Sequence, residues 1–122
     1  MSTMRDHRKL RAFELADAIV LSIYSATKTF PKDEQFALTS QLRRSAVSVA
    51  SNIVEGCART SQADYIRFLD MAFGSARELE YQISIAARLG YLPSNLAIDL
   101  ALQAEETARV LAGLLKSLRS ES

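Results

Sequence analysis

Apolar positions along this chain recur at steps of three and four, and short clusters of helix-breaking residues divide them into four segments. The first runs from about Lys9 to Phe30. Phe13, Ala16, Val20, Ile23, Thr27 and Phe30 predict one seam of a helix, with Ala12, Leu15, Ile19 and Ala26 beside it. Pro31 stops this helix, because it lacks an N–H and disfavours helical geometry at Phe30. Lys32 to Ala37 forms a short connection. The second helix starts near Leu38, with Thr39 or Ser40 as N-cap, and its seam is Leu42, Ala46, Val49 and Ile53. Gly56 ends or bends it, and Arg59-Thr60 makes the turn.

Ser61-Gln-Ala-Asp64 then resembles a capping box, with Asp in place of the commoner Glu. Behind it Tyr65, Leu69, Ala72, Ala76, Leu79, Ile83 and Ala86 keep the period unbroken. The spacing predicts a third helix from about Ser61 to Leu89, about 43 Å long at the rise of an α-helix. Gly90 suits the position after its end, and Pro93 follows. The fourth segment begins near Ser94, with a seam of Ala97, Leu100, Ala104, Thr107, Leu111, Leu114 and Leu118. Residues 120–122 form a frayed end.

Four amphipathic helices with short connections predict an all-α, antiparallel up-down-up-down four-helix bundle. It forms one domain over residues 1–122, preceded by a basic arm at residues 1–9. A bundle that stands alone has one apolar face per helix. In Ala18-Ile-Val-Leu-Ser-Ile-Tyr24 apolar residues point all round, and helix 3 carries a second apolar line at Ile66, Phe73 and Ala87. The extra faces predict self-association; scattered surface hydrophobes are the alternative.

Composition narrows the chemistry. A single histidine, His7, excludes a multi-histidine metal site. Without any Glu-x-x-His pair, the di-iron constellation of carboxylate bundles is ruled out as well. The four glycines are isolated, so there is no phosphate-cradling loop. Cys57 has no histidine near it in sequence and reads as a small structural thiol rather than a nucleophile. No enzyme activity, cofactor, metal or small-molecule substrate is expected. The longest apolar run, Ala18 to Leu21, is far too short for a membrane helix. With no signal peptide at the start, the expected location is the cytoplasm.

Two polar sets stand out. Arg43, Arg44, Asn52 and Glu55 lie on helix 2. If helices 2 and 3 are antiparallel about Arg59-Thr60, the two arginines fall near Arg77, Glu78 and Glu80, Ser48 falls near Ala72, and Asn52 near Phe68. Gly74 would then face Ala46 and allow close approach. The set is open to two readings: an ion-pair network fixing register or a subunit contact, or a polar binding groove lined by Arg44, Asn52 and Glu55. The second set is the arm, with Arg5, Arg8, Lys9 and Arg11. It is either a solvated tail or a flexible contact to RNA phosphates, without interleaved aromatic residues for stacking. The net charge of +1 gives little basic field.

The ordered combination of Phe30-Pro-Lys-Asp-Glu34, Leu38-Thr-Ser-Gln-Leu-Arg-Arg44, Ala46-Val-Ser-Val49 and Ser51-Asn-Ile-Val-Glu-Gly56 forms a nearly continuous signature. Tyr65-Ile-Arg-Phe-Leu69, Gly74-Ser75, Glu78-Leu-Glu80 and Leu89-Gly-Tyr-Leu92 follow it. Together they resemble the bacterial four-helix-bundle proteins encoded in 23S ribosomal RNA intervening sequences, over roughly Leu10 to Leu118. The resemblance implies a ring-like homopentamer and a distant kinship with the accessory proteins of diversity-generating retroelements, which bind nucleic acid. It therefore implies the chain itself as partner, and RNA or a ribonucleoprotein as a second. No catalytic residues come with it. Ala37 and Ala50 depart from the Gly and Pro common in that family, and the near-neutral charge departs from the basic retroelement proteins.

Overall fold

In the computed structural model, which describes residues 5–121, four helices run up, down, up and down. They are α1 (Arg11–Thr27), α2 (Leu38–Cys57), α3 (Gln62–Arg88) and α4 (Ser94–Ser120), and no strand occurs among the described residues. Each helix packs on its two neighbours in chain order, α4 closes against α1, and the diagonal pairs do not touch. The bundle is therefore a square, with the α2–α3 side opposite the α4–α1 side. Residues 1–4 of the arm and Ser122 lie outside the described residues.

The core comprises two stacked clusters. One joins Ile19, Ile23, Leu42, Leu79, Ile83 and Leu100 near the α1–α2 and α3–α4 loops. The other joins Val49, Ile53, Leu69, Leu111 and Leu115 near the α2–α3 turn. Each fully buried leucine or isoleucine contributes about 1.5–3 kcal/mol. Ala16, Ala46, Ala72, Ala76, Ala86 and Ala104 are also buried. Alternation of large and small residues lets the helices interdigitate.

Every α3 seam residue predicted from spacing is buried, and so are the four of α2. On α1 the buried stripe is Ala12, Ala16, Ile19, Ile23, Ala26 and Thr27. Phe13 and Val20, expected in the seam, are half-buried at its flank. On α4 the buried line is Leu100, Ala104, Thr107, Ala108, Leu111 and Leu115, so Leu114 gives way to its neighbour.

The ends follow local chemistry. A 3-10 turn at His7–Lys9, capped by Asp6, precedes α1, and extended Leu10 separates the two. At the other end, Pro31 has no N–H to bond back into the helix. The chain tightens instead, with the Phe30 N–H on the Thr27 carbonyl at 3.2 Å. α1 therefore stops at Thr27 rather than Phe30. Thr39 and Ser40 lie inside α2 and do not cap it. Glu34, from a second 3-10 turn at Lys32–Glu34, accepts from the Leu38 N–H at 3.2 Å in their place. The Ser61 hydroxyl does cap α3, accepting from the Asp64 N–H at 3.1 Å. Gly90, at φ +79°, closes α3: its N–H bonds Ala87 O and the Tyr91 N–H reaches Ala86 O, each at 3.0 Å. This paired bond pattern is a Schellman cap, and a left-handed glycine suits it.

The register of α2 on α3 differs from expectation by nearly one turn. Ser48 meets Ser75, not Ala72, with 2.9 Å between hydroxyls. The close approach is at Gly56 instead of Gly74. A Cβ on Gly56 would lie 3.0 Å from Phe68 Cβ, whereas one on Gly74 would meet nothing within 4 Å. Phe68 and Tyr65 pack over the bare backbone at Gly56, and that contact fixes how α3 lies along α2.

Candidate functional site

The shifted register lines up polar residues of α2 and α3 along one open cleft of about 450 Å³. Gln41, Arg44, Ser45 and Ser48 form one wall and Glu78 and Gln82 the other. The Ser45 hydroxyl donates to Glu78 Oε1 at 3.2 Å. At the lower edge Asn52 Nδ2 donates to Ser48 O at 2.9 Å and to its hydroxyl at 3.0 Å. Two groups remain unmatched. Arg44, at the mouth, has no hydrogen-bond or ion-pair partner among the described residues. Gln82 is only 6% exposed and its Oε1 has no hydrogen bond. A stranded buried amide oxygen costs about 1–3 kcal/mol.

The six polar residues singled out on α2 and α3 do not form one network. Arg43 turns the other way: its Nε donates to Thr27 Oγ1 at 2.9 Å and its guanidinium lies 4.7 Å from the Tyr24 ring centre, so it ties α2 to α1. Arg44 and Glu78 share the cleft without pairing. Asn52 bounds the cleft from below, and Glu55 is exposed one turn further on. Glu80 lies 3.5 Å from Arg77 on its own helix, and its inner oxygen makes no hydrogen bond. One buried residue of the cleft, Gln82, escaped the sequence reading. Its signal was a polar side chain between the seam residues Leu79 and Ile83.

Among the four basic residues Arg5, Arg8, Lys9 and Arg11, the three arginines are docked rather than free. Arg5 donates to the Arg59 carbonyl at 2.8 Å and to Gln62 Oε1 at 3.3 Å, and stacks 4.1 Å above Tyr65. Arg8 pairs with Asp6 at 2.9 Å, and this hydrogen bond holds the Asp6 carboxyl down at about 2. Arg11 reaches Glu106 on α4 at 2.7 Å. Lys9 is exposed. Arg59 and Arg67 both lie over Phe68, at 4.9 and 4.7 Å, so three guanidinium groups gather on two aromatic rings at this pole.

Other chemistry has little footing. Cys57 is buried, and burial pushes its thiol up, away from the reactive thiolate. Burial likewise pushes Tyr65 up to about 12. His7 stands edge-on to Phe13 at 4.7 Å. No group of three or more potential metal ligands occurs among the described residues. No helix among the described residues is long and apolar enough to cross a membrane.

The opposite side of the square carries exposed apolar residues beside its polar ones. A groove of about 520 Å³ between α1 and α4 is lined by Leu21, Ala26, Pro93 and Leu96, with Ser22, Ser25, Thr29 and Asp99. Leu21 is 68% exposed, and Ile98 and Leu102, one turn apart on α4, are 62% and 59% exposed. Phe36, in the α1–α2 loop, is 90% exposed.

A family model described as 23S rRNA-intervening sequence protein matches residues 8–113. Among solved structures, the chain is similar to a protein of unknown function from the S23 ribosomal protein family of Bacteroides thetaiotaomicron VPI-5482. Identity is 24%, with 86% of this chain and 95% of that one covered, at a TM-score of 0.80. At that identity the likeness speaks for the fold alone. No curated protein matches.

Proposed function

The chain belongs to the 23S rRNA-intervening sequence protein family, and from that premise we propose that it is a non-enzymatic, self-associating scaffold of the cytoplasm, assembled as a homopentamer. The observation that carries the reading is the exposure of Leu21, Ile98 and Leu102 on α1 and α4. Apolar side chains of that size in water favour burial against another surface, and a closed ring lets every copy cover the same patch. Absolute mass by light scattering, on protein freed of nucleic acid, tests it. A mass near five times 13.5 kDa is the expected result. A mass near 13.5 kDa at micromolar concentration overturns self-association.

A second reading, an accessory factor for RNA or a ribonucleoprotein, draws support from the pole where Arg5, Arg59 and Arg67 cluster. Several copies in one assembly would pool that charge. Binding of structured RNA should then fall steeply with salt, and Arg59→Ala with Arg67→Ala should weaken it. Absence of binding at low salt removes this reading.

A further inference from the structure

The α2–α3 cleft holds groups that the fold itself does not use. Elsewhere on the surface, opposite charges within reach pair up: Arg8 with Asp6, Arg11 with Glu106, Arg77 with Glu80, Arg109 with Glu105. Arg44 and Glu78 line the same cleft and do not pair; Glu78 takes the Ser45 hydroxyl instead. The Gln82 amide lines the same cleft, more than nine-tenths buried and without a hydrogen bond on its oxygen. The last torsion of a glutamine is soft, so a donor placed in the cleft can draw that oxygen round to itself.

The cleft therefore offers a cation, an anion and a neutral acceptor within a volume of about 450 Å³, a size that suits a small molecule. A lone anion would satisfy Arg44 and be repelled by Glu78; a lone cation would meet the reverse. A ligand carrying both signs satisfies all three groups. We propose that this cleft is a binding site for a small zwitterion of the α-amino-acid class. The ligand's carboxylate lies on Arg44, and its ammonium is shared between the Glu78 carboxylate and the Gln82 carbonyl. The inference stands apart from self-association, because the apolar patch lies on the opposite side of the square.

The test uses the full chain in thermal unfolding and titration calorimetry. The probes are the twenty common α-amino acids one at a time, with acetate and methylammonium as single-charge controls. At least one amino acid should bind with a dissociation constant of about 1 mM or tighter and raise the melting temperature, while neither control does. Arg44→Ala, at an exposed position, and Gln82→Leu, which replaces the stranded amide by an apolar group of similar size, should each weaken binding by about tenfold or more. Arg109→Ala, on α4, should leave it unchanged. The proposal is overturned if no amino acid shifts the melting temperature, if acetate or methylammonium does as well, or if binding survives Arg44→Ala. Chemical-shift changes that map the bound amino acid away from Gln82 overturn it too.

Discussion

The α2–α3 and α4–α1 sides of the bundle face opposite directions and are built on opposite plans. Across α2–α3 the polar contacts run through the groove itself, from Ser45–Glu78 to Ser48–Ser75 to Asn52. Apolar residues outside it are exposed to a lesser degree, Val47, Val54 and Met71 at 39%, 37% and 43%, although Tyr81 on α3 reaches 63%. Across α4–α1 the polar contacts are Ser22 to Gln103 at 3.2 Å and the Arg11–Glu106 ion pair at 2.7 Å, and Leu21, Ile98 and Leu102 stand well into water. The same helical period underlies both sides. The difference lies in what occupies the positions beside the seam, and it separates a surface suited to small polar ligands from one suited to burial.

The sharpest way to break this contrast is to charge the apolar side. Ile98→Glu with Leu102→Glu should reduce the mass in light scattering to that of one chain. The monomer's own stability should move by no more than about 0.5 kcal/mol, as for other surface changes. If the mass does not fall, the subunit contact lies elsewhere. Next in size is the seam contact. Gly56→Val should cost about 3 kcal/mol in urea unfolding, because the added side chain drives into Phe68 and Tyr65. Gly74→Ala, in open space on α3, should instead stabilise by up to about 1 kcal/mol through helix propensity. The opposite signs of two glycine substitutions test the register directly.

Smaller still, Gln82→Leu should stabilise the ligand-free protein by about 1 kcal/mol, since it removes an amide that finds no partner. A loss of stability would mean that the amide is satisfied in solution. The smallest effect concerns pH. Burial raises Tyr65 from 10.0 to about 12. The folded state therefore keeps the proton that the unfolded chain releases. The stability from the neutral phenol is whole below pH 10 and drains away as pH climbs toward 12. Tyr65→Phe should lessen the slope of stability against pH in that window, leaving the part due to the buried Cys57 thiol.

Much of the bundle could be read from spacing, and the exceptions have separate causes. α3 was readable because its seam keeps an unbroken period from Tyr65 to Ala86, with charges such as Arg67, Asp70 and Arg77 beside it. On α1 both flanks of the seam are apolar, so the stripe centred on Ile19 and Ile23 was as regular in sequence as the one through Val20. Thr39 and Ser40 looked like caps because the true cap, Glu34, comes from a 3-10 turn before the helix. In the candidate site, Arg44 and Glu78 line one cleft. The register was set by Gly56 packing under Phe68, a contact that turn length does not reveal. Gln82 was passed over because a polar residue in a heptad reads as its solvent side.

The contact at Gly56 also bears on how the chain finds its structure. α2 and α3 are joined by the short stretch from Ala58 to Ser61, and their tightest contact lies right beside it. That hairpin needs little loop closure, whereas α4 must return across the whole chain to meet α1. Substitutions around Gly56, Tyr65 and Phe68 should therefore slow refolding. Truncations at the α1–α4 contact, such as Ile19→Val, should leave refolding nearly unchanged and hasten unfolding.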